Sequence, residues 1–500
     1  RARPMAESPS PIASVCHFLP PSPLPPPMTL LDALYLPAAI LTAPWWARKA
    51  RSGWRERFGN IEPLPPKPPG VKRILLHAVS VGEVNTLRAL VPMLREAGCE
   101  VVVSAMTDTG LKRARELFAG LDGVLVVRFC LDFSPAVKRF LTAVNPDAVA
   151  LVELEVWPNL VRACVDRTIP IGVINGRLSA RSFRGYRRFR RLFARTFSSL
   201  SFAAVQDADY AARFKAMGVP ETRLSITGSM KWDALPGTPP VPGGSSPGAP
   251  TLRGGSSPGA PTLRGGSSSS SPSHIPPDLQ LQADQLATSL GIDRNRPLIV
   301  AGSTAPIDRV ARLSEPGSAA LAQFDCEEAL LHAACPEGVQ LLCAPRKPEH
   351  YERAFAALGG PGRCVRRSAA TLPTPMDRFL LDTIGELRAA YALADIAVIG
   401  RTWGDLGGSD PIEPIALGKA TLLGPRYHNF ETIVQTFAAA GAIVIADAPD
   451  VPRELRDLLA SPARRTELAR RGAAAIAGQQ GATRRHADLI VATITPRSSP

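Results

Sequence analysis

The stretch Arg73-Ile-Leu-Leu-His-Ala-Val-Ser-Val-Gly-Glu83 decides the fold class of this chain. It begins with a short apolar run, Arg73–His77, which is typical of a buried strand. It ends at Ser80 and Glu83, whose spacing is that of a capping box at a helix N-terminus. A helix with apolar residues on one face is predicted to follow over Val84–Ala97. A strand that leads directly into a helix is the repeating unit of a parallel α/β sheet.

The same alternation of strands and helices recurs through two long parts of the chain. The first part contains seven apolar runs that indicate the strands Arg73–His77, Glu100–Ser104, Val124–Val127, Asp147–Val152, Ile169–Ile174, Phe202–Val205 and Leu224–Thr227. The second part contains the strands Leu298–Ala301, Val339–Cys343, Ile396–Ile399, Ala420–Leu423 and Ala442–Ile445. This order predicts two doubly wound, Rossmann-like α/β domains that face a cleft, with ligands at the carboxyl ends of the strands.

Changes in composition indicate how the chain is divided. A Pro-rich, disordered segment is predicted at 1–27, followed by an anchor segment at 28–58 and an α/β domain at 71–235. A linker is predicted at 236–290, because it contains the repeat GGSSPGAPTLR twice in tandem and such a tract cannot offset its ordering entropy by burial. A second α/β domain follows at 291–495.

The segment at 28–58 predicts contact with a membrane surface. Its apolar part is about as long as a minimal membrane span, but one Asp and two Pro residues within it weaken a spanning interpretation. The pair Trp45–Trp46 precedes five basic residues, which is typical of an anchor at the cytoplasmic interface. A secretion signal and a buried N-terminal helix are the alternatives, and the signal is disfavoured because no small-residue cleavage site follows.

Composition and charge narrow the class of protein. The chain has 500 residues, of which 45% are hydrophobic, so it can bury a sizeable core and is not wholly disordered. Lys and Arg outnumber Asp and Glu by 58 to 44, and the net charge of +14 favours nucleic acid, anionic lipid or phosphorylated substrates as partners. The 8 cysteines form no C-x-x-C pair, so a zinc ribbon or a redox motif is not indicated and a reducing, cytoplasmic compartment is expected.

An arginine-rich stretch lies within residues 177–195. Its members are Arg177, Arg181, Arg184, Arg187, Arg188, Arg190, Arg191 and Arg195. Helical spacing places Arg184, Arg188, Arg191 and Arg195 on one face and Tyr186, Phe189, Phe193 and Phe197 on another. Nucleic-acid binding would favour aromatic residues interleaved with the basic ones, so anionic lipid head groups fit this amphipathic pattern better.

Three glutamates follow strands and are candidates for acid–base chemistry. Glu83 could cap the helix that begins at Ser80, or it could serve as a general base at the mouth of the cleft. Glu153 and Glu155 directly follow an apolar run, and alternation would place both on one face if the strand continued. They could also be the solvated end of that strand.

Three turns rich in glycine or proline follow predicted strands, and two of them also carry a Lys or an Arg. They are 227–233, 344–349 and 407–413, and backbone N–H groups at such turns bind phosphate. The segment Gln206-Asp207-Ala208-Asp209 has the form of a metal-binding D-x-D, but helix capping explains it better. No cluster of histidines supports a metal.

These segments together resemble the bacterial 3-deoxy-D-manno-octulosonic acid (Kdo) transferases, glycosyltransferases that modify lipid A. The resemblance covers roughly 28–235 and 290–490. It rests on the motifs HAVSVGE, VELEVWPNL, INGRLSARS, TGSMKWD, AGST, APRKPE, IGELRAAYALAD, GGSDPIEP and LLGPRYHNF. It implies a GT-B fold, a CMP-Kdo donor, a lipid A precursor (lipid IVA) as acceptor, inverting transfer without a metal or cofactor, and a place at the cytoplasmic face of the inner membrane. Anionic lipids of that membrane are then the expected partners, and nucleic acid is not.

The resemblance also implies roles for individual residues. Glu83 corresponds to the general base, and Glu153 and Lys231 correspond to positions that stabilise the transition state. Glu413 is the expected partner of the ribose. The positions that correspond to substrate contacts are Arg177, Ser303, Pro345, Arg346, Ile384, Gly385, Glu386, Asp410, Pro411, Ile412 and Glu413.

The chain departs from the family pattern at three places. Ser409-Asp410 replaces a usual His-Asn, Lys347 replaces a usual His, and an insertion at Ile307–Cys326 precedes Glu327. Because a carboxylate near a phosphate is repulsive, Asp410 is expected to act through its backbone or as a helix cap. Three other functions compete with Kdo transfer: a GT-B enzyme that moves a nucleoside-diphosphate sugar to a lipid, a non-catalytic homologue at the membrane surface, and a nucleic-acid-binding protein.

Overall fold

The computed structural model describes residues 52–233, 275–307, 321–369 and 376–495. The predicted disordered segment, most of the anchor segment and most of the linker lie outside these residues. Within these ranges, no helix is both long enough and apolar enough to cross a membrane.

The N-terminal lobe, residues 52–233, is built on one parallel sheet. Its strands are β1 (Arg73–Ala78), β2 (Glu100–Ala105), β3 (Val124–Arg128), β4 (Ala148–Val152), β5 (Ile171–Gly176), β6 (Phe202–Val205) and β7 (Leu224–Ile226). Its helices are α1 (Trp54–Arg57), α2 (Val81–Thr86), α3 (Leu90–Glu96), α4 (Asp108–Leu117), α5 (Ser134–Val144), α6 (Pro158–Asp166), α7 (Ala180–Arg188), α8 (Arg190–Ser198) and α9 (Ala208–Met217). The turn that follows β7 is a 3-10 helix, Met230–Trp232.

The strand order of this sheet is β3-β2-β1-β4-β5-β6-β7. Leu75 of β1 lies beside Val102 of β2 on one side and beside Val149 of β4 on the other. Every residue of β1, β2, β4 and β5 is buried, because helices cover both faces of a parallel sheet of this kind. The strand order reverses between β1 and β4, and a crevice opens at the carboxyl ends of strands at such a switch point.

The C-terminal lobe carries a second parallel sheet with the order β10-β11-β9-β8-β12-β13-β14. Its strands are β8 (Leu298–Thr304), β9 (Gln340–Pro345), β10 (Cys364–Arg366), β11 (Arg378–Leu380), β12 (Ile396–Ile399), β13 (Ala420–Leu423) and β14 (Val444–Ile445). Its helices are α10 (Pro277–Leu290), α11 (Glu327–Ala334), α12 (Tyr351–Ala357), α13 (Leu387–Leu393), α14 (Ile412–Ala416), α15 (Glu431–Ala439), α16 (Val451–Ala460) and α17 (Pro462–Gln479). The strand order reverses here between β8 and β12.

The predicted fold class of two doubly wound α/β domains is confirmed. All twelve predicted strands are present, with ends that shift by three residues at most. The strands β10 and β11 were not predicted, because each has only three residues and no long apolar run.

The single helix predicted over Val84–Ala97 is wrong, since α2 and α3 are separate helices. Pro92 explains the break: proline clashes with the preceding turn inside a helix and is accepted only near its start, and α3 begins two residues before it. The arginine-rich stretch is also two helices, α7 and α8, with Phe189 between them. The prediction that Phe189 shares the aromatic face is wrong as well, because 57% of its surface is exposed.

The last helix, α18 (Ala482–Ile494), leaves the C-terminal lobe and packs on the N-terminal sheet. Its residues Ala487 and Ile490 belong to the same core cluster as β1, β2 and β4. The carboxylate of Asp233 accepts hydrogen bonds from the backbone N–H groups of Gly481 at 2.8 Å and Thr483 at 2.6 Å. Asp233 therefore caps α18 across a sequence separation of about 250 residues.

We expect Asp233→Ala to lower the free energy of unfolding by about 1–3 kcal/mol, because it removes two hydrogen bonds to a charged acceptor at a helix start. Chemical denaturation measures the change, and hydrogen exchange should accelerate in 482–494. Asp488→Ala is the matched control on the same helix, since Asp488 is exposed and pairs with Arg484 at the surface. Equal losses of stability in the two variants would contradict this account of how α18 is held.

Candidate active site

Glu83 lies at the switch point of the N-terminal sheet, in the first turn of the helix that follows β1. The Ser80 hydroxyl caps α2 by accepting from the N–H of Glu83 at 3.4 Å, and it donates to Oε1 of Glu83 at 2.8 Å. Oε2 of Glu83 accepts from the N–H of Val79 at 2.7 Å. The predicted capping box is therefore present, and the same contacts fix the carboxylate at the carboxyl end of β1.

Glu153 and Glu155 follow β4, the strand that lies next to β1. Alternation would place both side chains on one face only if the strand continued, and it does not continue: β4 ends at Val152, and Glu153 has a left-handed backbone with φ of 58°. That conformation is uncommon for a residue with a side chain, and it turns the chain away from the sheet. The N–H of Glu153 still bonds to the carbonyl of Ile174 in β5 at 3.0 Å, so its position is fixed.

The three carboxyl groups lie close enough to influence one another. Burial raises the pKa of Glu83, and the Glu153 carboxylate raises it further, although the hydrogen bonds from Val79 and Ser80 oppose the shift. Burial raises the pKa of Glu155 to about 8, with further contributions from the charges of Glu83 and Glu153. Glu155 is thus mostly protonated at neutral pH.

Lys231 lies in the short turn after β7 and faces the second lobe. The Ser229 hydroxyl accepts from the N–H of Lys231 at 3.4 Å, and Oδ1 of Asn175 accepts from the N–H of Met230 at 3.1 Å. The Nζ atom of Lys231 is 5.2 Å from the centre of the Phe430 ring, a cation–π distance.

Contacts between the lobes bring the carboxyl ends of the two sheets together. Arg177, after β5, donates to the carbonyl of Asn429. Thr432 donates to Asp207, after β6, at 3.3 Å. The predicted capping role of Asp207 is confirmed, because Asp207 begins α9 and accepts from the N–H of Tyr210 at 2.8 Å. Among the described residues, no group of three or more His, Cys, Asp or Glu side chains could hold a metal ion.

Ser303 and Arg346 follow neighbouring strands of the second sheet. Ser303 has a left-handed backbone with φ of 58° at the end of β8. The N–H of Arg346 bonds to the carbonyl of Thr304 at 2.9 Å, which sets Arg346 directly after the buried Pro345 at the end of β9. The Arg346 side chain is exposed, and its charge lowers the pKa of the partly buried Arg401, second to the effect of burial. Positive charge therefore accumulates where β8, β9 and β12 end.

The segment Ile384-Gly385-Glu386 forms the turn before α13. Ile384 is 88% exposed, and Gly385 adopts φ of 102°, which favours glycine. Both Nε and Nη2 of Arg367 donate to Oε1 of Glu386, at 3.1 and 2.9 Å. Glu386 is therefore paired with a cation, and Ile384 in the same turn remains exposed.

The segment 410–413 leads into α14. Oδ1 of Asp410 accepts from the N–H of Ile412 at 3.0 Å, which forms an Asx turn directly before α14, whose N-cap is Pro411. Pro411 and Ile412 are buried, and Glu413 lies 3.5 Å from Nε of Arg388. Burial raises the pKa of Glu413, and the charge of Arg388 opposes the shift.

Arg88 and Arg388 belong to this region but were not singled out from the sequence. Arg88 lies in the N-terminal lobe between α2 and α3. Burial lowers its pKa, as do the charges of Arg113 and of Arg388 in the other lobe, while Glu413 raises it. No motif could have indicated Arg88, because only the approach of the lobes sets it near Glu413.

The base of the predicted insertion at Ile307–Cys326 is closed. Pro306 and Cys326 form an antiparallel bridge, and the N–H of Ile307 bonds to the carbonyl of Asp325 at 3.0 Å. The chain thus leaves β8 and returns beside the same point, and α11 begins directly after this bridge.

A family model described as 3-deoxy-D-manno-octulosonic-acid transferase (kdotransferase) matches residues 52–234. The 3-deoxy-D-manno-octulosonic acid transferase of Bordetella pertussis is 29% identical over 462 residues, which are 89% of this chain and 94% of that protein. The protein of the same name from Haemophilus influenzae is 27% identical over 439 residues, which are 87% of this chain and 88% of that protein. These matches confirm the resemblance indicated by the motifs.

Among solved structures, Anabaena Alr3699/HepE in complex with UDP-glucose has a TM-score of 0.51 to this chain. It is 11% identical and covers 84% of this chain and 99% of its own. At that identity the likeness concerns the fold, and it agrees with two parallel α/β sheets on either side of a cleft.

We expect Glu155→Gln to change how stability depends on pH. A carboxyl group whose pKa is raised to about 8 in the folded state stabilises the fold while it is protonated. The protein loses this stabilisation as the pH rises from the ordinary pKa of a glutamate through 8. Glutamine has no proton to lose, so between pH 5 and pH 9 the parent should lose on the order of a few kcal/mol more than the variant. Melting temperatures across this range provide the measurement, with the exposed Glu337→Gln as control. Parallel pH curves for the parent and Glu155→Gln would show that Glu155 ionises as it would in water.

Proposed function

We propose that this chain, which belongs to the Kdo transferase family, transfers Kdo from CMP-Kdo to a lipid A precursor (lipid IVA), with inversion and without a metal. The observation that carries this proposal is the division of charge across the cleft. Carboxylates lie at the switch point of the N-terminal sheet, and arginines and glycine-rich turns lie at that of the C-terminal sheet. A single displacement that inverts the anomeric carbon requires a base for the acceptor on one side and stabilisation of the leaving group on the other.

Glu83 is the proposed general base. It accepts the proton of the acceptor hydroxyl as that oxygen forms its bond to the anomeric carbon of Kdo, and the bond from this carbon to the CMP phosphate oxygen breaks. The hydrogen bonds from Ser80 and Val79 hold the carboxylate in one orientation. Because burial raises its pKa, Glu83 binds a proton more strongly than a carboxylate in water does. Glu153 and Lys231 are the proposed stabilisers of the transition state beside it.

The C-terminal lobe is the proposed donor site. The departing CMP gains negative charge on one phosphate, which Arg346 and the backbone N–H groups of the adjoining turns can stabilise. A single phosphodiester makes smaller electrostatic demands than a diphosphate, so these groups and Lys231 can serve without a metal ion. Glu413 is the proposed ribose partner. The other proposed substrate contacts are Arg177, Ser303, Pro345, Ile384, Gly385, Glu386, Asp410, Pro411 and Ile412.

The arginine-rich helices α7 and α8 are the proposed contact with anionic lipid at the cytoplasmic face of the inner membrane. The side chains of Arg184, Arg187, Arg188, Arg190 and Arg195 are exposed, and no acidic side chain in the described ranges pairs with them. Phe189 lies between them and is largely exposed, which suits insertion at a membrane interface. Tyr186 of the same segment lies near Glu155, whose charge, after burial, contributes to raising the pKa of its hydroxyl. The basic surface therefore adjoins the carboxylates that a lipid-borne acceptor must reach.

The function is tested by incubating the purified chain with CMP-Kdo and a tetraacylated lipid A precursor. The proposal expects release of CMP and a lipid whose mass has increased by one or more Kdo residues. The absence of product from a preparation that binds CMP would favour a non-catalytic homologue. Product only with a nucleoside-diphosphate sugar would favour the other GT-B activity.

We expect Glu83→Gln to fold, to bind CMP normally and to transfer Kdo at least about a hundredfold more slowly, because loss of a general base typically costs 10²–10⁴ in rate. Glutamine can still serve in a capping box, so the helix start should be preserved. Single-turnover kinetics with saturating donor and acceptor measure the effect. Glu96→Gln, an exposed position at the end of α3, is the control and should transfer at the parental rate. A well-folded Glu83→Gln with parental turnover would reassign the base to Glu153 or Glu155.

We expect a triple variant, in which Arg184, Arg187 and Arg188 are each replaced by Ser, to bind anionic vesicles more weakly at low salt while its affinity for CMP is unchanged. Each basic residue near such a surface contributes about 1 kcal/mol, so the loss should approach a hundredfold. The control is a second triple variant that removes the same charge from the other lobe. It replaces the exposed residues Arg456, Arg464 and Arg470 by Ser. If both triple variants bound vesicles equally well, α7 and α8 would not be the membrane contact.

A further inference from the structure

One buried carboxylate in the C-terminal lobe has no part in the chemistry above. Glu327 is the first residue of α11, and only 1% of its surface is exposed. Its Oε2 accepts from the N–H groups of Ala305 at 3.1 Å and Arg401 at 2.6 Å. Its Oε1 accepts from the N–H groups of Thr402 at 2.8 Å and Trp403 at 3.2 Å. Four backbone donors thus converge on one side chain.

These four donors come from the two loops that flank the switch point of the second sheet. Ala305 follows β8, and Arg401 to Trp403 follow β12, the neighbouring strand. The loops approach so closely that a side chain at Gly400 would lie 2.6 Å from the Cα of Thr304. Ligands of open α/β sheets bind where such loops diverge. Glu327 therefore lies beneath the floor of the proposed donor site.

The contacts extend from Glu327 to the donor-binding positions. Thr402 accepts through its hydroxyl from the N–H of Gly424 at 2.8 Å and through its carbonyl from the N–H of Arg426 at 3.0 Å, so the loop after β13 is joined to the same point. Thr304, next to Ala305, accepts the N–H of Arg346. Both Ser303 and Arg401 have left-handed backbones, which other contacts must hold in place.

A carboxylate suits this position, because only it offers two oxygens that each accept two hydrogen bonds. Glutamine would turn an NH₂ group toward two backbone donors and leave them unsatisfied in a buried place. Burial raises the pKa of Glu327 to about 7, against the effect of the N–H bonds. The neighbouring Glu328 is also buried, but its side chain accepts from the Thr304 hydroxyl at 2.5 Å, whereas the N–H groups of Arg401 and Thr402 bond to Glu327.

We propose that Glu327 is a positioning residue that holds the loops after β8 and β12 in the arrangement that binds the donor nucleotide. This inference rests on the proposed function for the identity of that nucleotide. Glu327 acts through the backbone of Ala305 and of Arg401 to Trp403 and touches no reacting atom. Its loss therefore lowers affinity for the donor more than it lowers turnover at saturating donor.

The test compares Glu327→Gln with the matched control Glu328→Gln. Calorimetry with CMP alone should show affinity lower by about ten- to a hundredfold for Glu327→Gln, the cost expected when buried backbone donors lose their partner, and near-parental affinity for Glu328→Gln. KM for CMP-Kdo should rise by the same factor while kcat changes little. Hydrogen exchange should accelerate in peptides that cover 303–307 and 400–404. Glu327→Asp keeps a carboxylate on a shorter stem and should lie between the parent and Glu327→Gln.

Equal CMP affinity in the parent and Glu327→Gln would overturn the proposal, as would equal losses in Glu327→Gln and Glu328→Gln. If both Glu327 variants failed to fold, exchange in the parent would decide: slow exchange at 400–404 without CMP supports the proposal, and fast exchange contradicts it. A parent that does not bind CMP would instead contradict the proposed function. In that case, hydrogen exchange at 303–307 and 400–404 would still show whether Glu327 holds the two loops.

Discussion

The geometry of the cleft depends on the hydrogen bond that the backbone N–H of Asn175 donates to Nε2 of His486, at 2.8 Å. Asn175 is the next-to-last residue of β5 and has a left-handed conformation, and His486 lies on the C-terminal helix that crosses from the other lobe. The Nδ1 atom of His486 is 2.7 Å from the carbonyl of Ala482, so Nδ1 carries the proton and Nε2 accepts. Burial lowers the pKa of His486 to about 4, and the ring is therefore neutral at physiological pH.

Lys231 owes its position to the same junction. Oδ1 of Asn175 holds the N–H of Met230, and the hydroxyl of Thr227 lies 3.0 Å from Nε2 of His486. The turn that carries Lys231 is thus fixed between a strand of one lobe and a helix that returns from the other. This arrangement joins the lobes on one side and leaves the switch points of both sheets facing the cleft.

The two sheets present opposite charge at equivalent places. In the N-terminal lobe, Glu83 and Glu153 follow strands that lie side by side, and their mutual repulsion raises the affinity of Glu83 for a proton. In the C-terminal lobe, Arg346 follows β9 and Arg401 follows β12, the two strands on either side of β8, and their charges make the corresponding edge positive. This separation of charge across the cleft is what the proposed inverting transfer requires, with a base for the acceptor on one side and groups that stabilise a departing phosphate on the other.

Local sequence patterns predicted the features that local contacts create. The run Arg73–His77 and the capping spacing of Ser80 and Glu83 sufficed for β1 and the start of α2. Features that depend on distant residues were not predictable. Asn175 and His486 are 311 residues apart, and no periodicity indicates that the last helix returns to the first sheet.

The candidate site shows the same limit. The motifs placed Glu83, Lys231 and Glu413 near strand ends, but the turn at Glu153 follows from a left-handed backbone that the pattern Val-Glu-Leu-Glu does not reveal. The four donors to Glu327 come from two loops whose approach depends on the pairing of β8 with β12. A family resemblance can suggest which residues matter, whereas only the fold shows which groups hold them.

Direct binding of CMP and UDP to the purified chain, measured by calorimetry at one pH and salt concentration, tests the central claim most directly. The account places a single phosphate between Arg346 and the adjoining turns, so it predicts that CMP binds at least about tenfold more tightly than UDP, a difference of roughly 1.4 kcal/mol. Tighter binding of UDP would contradict a CMP-linked donor and would assign the cleft to a nucleoside-diphosphate sugar.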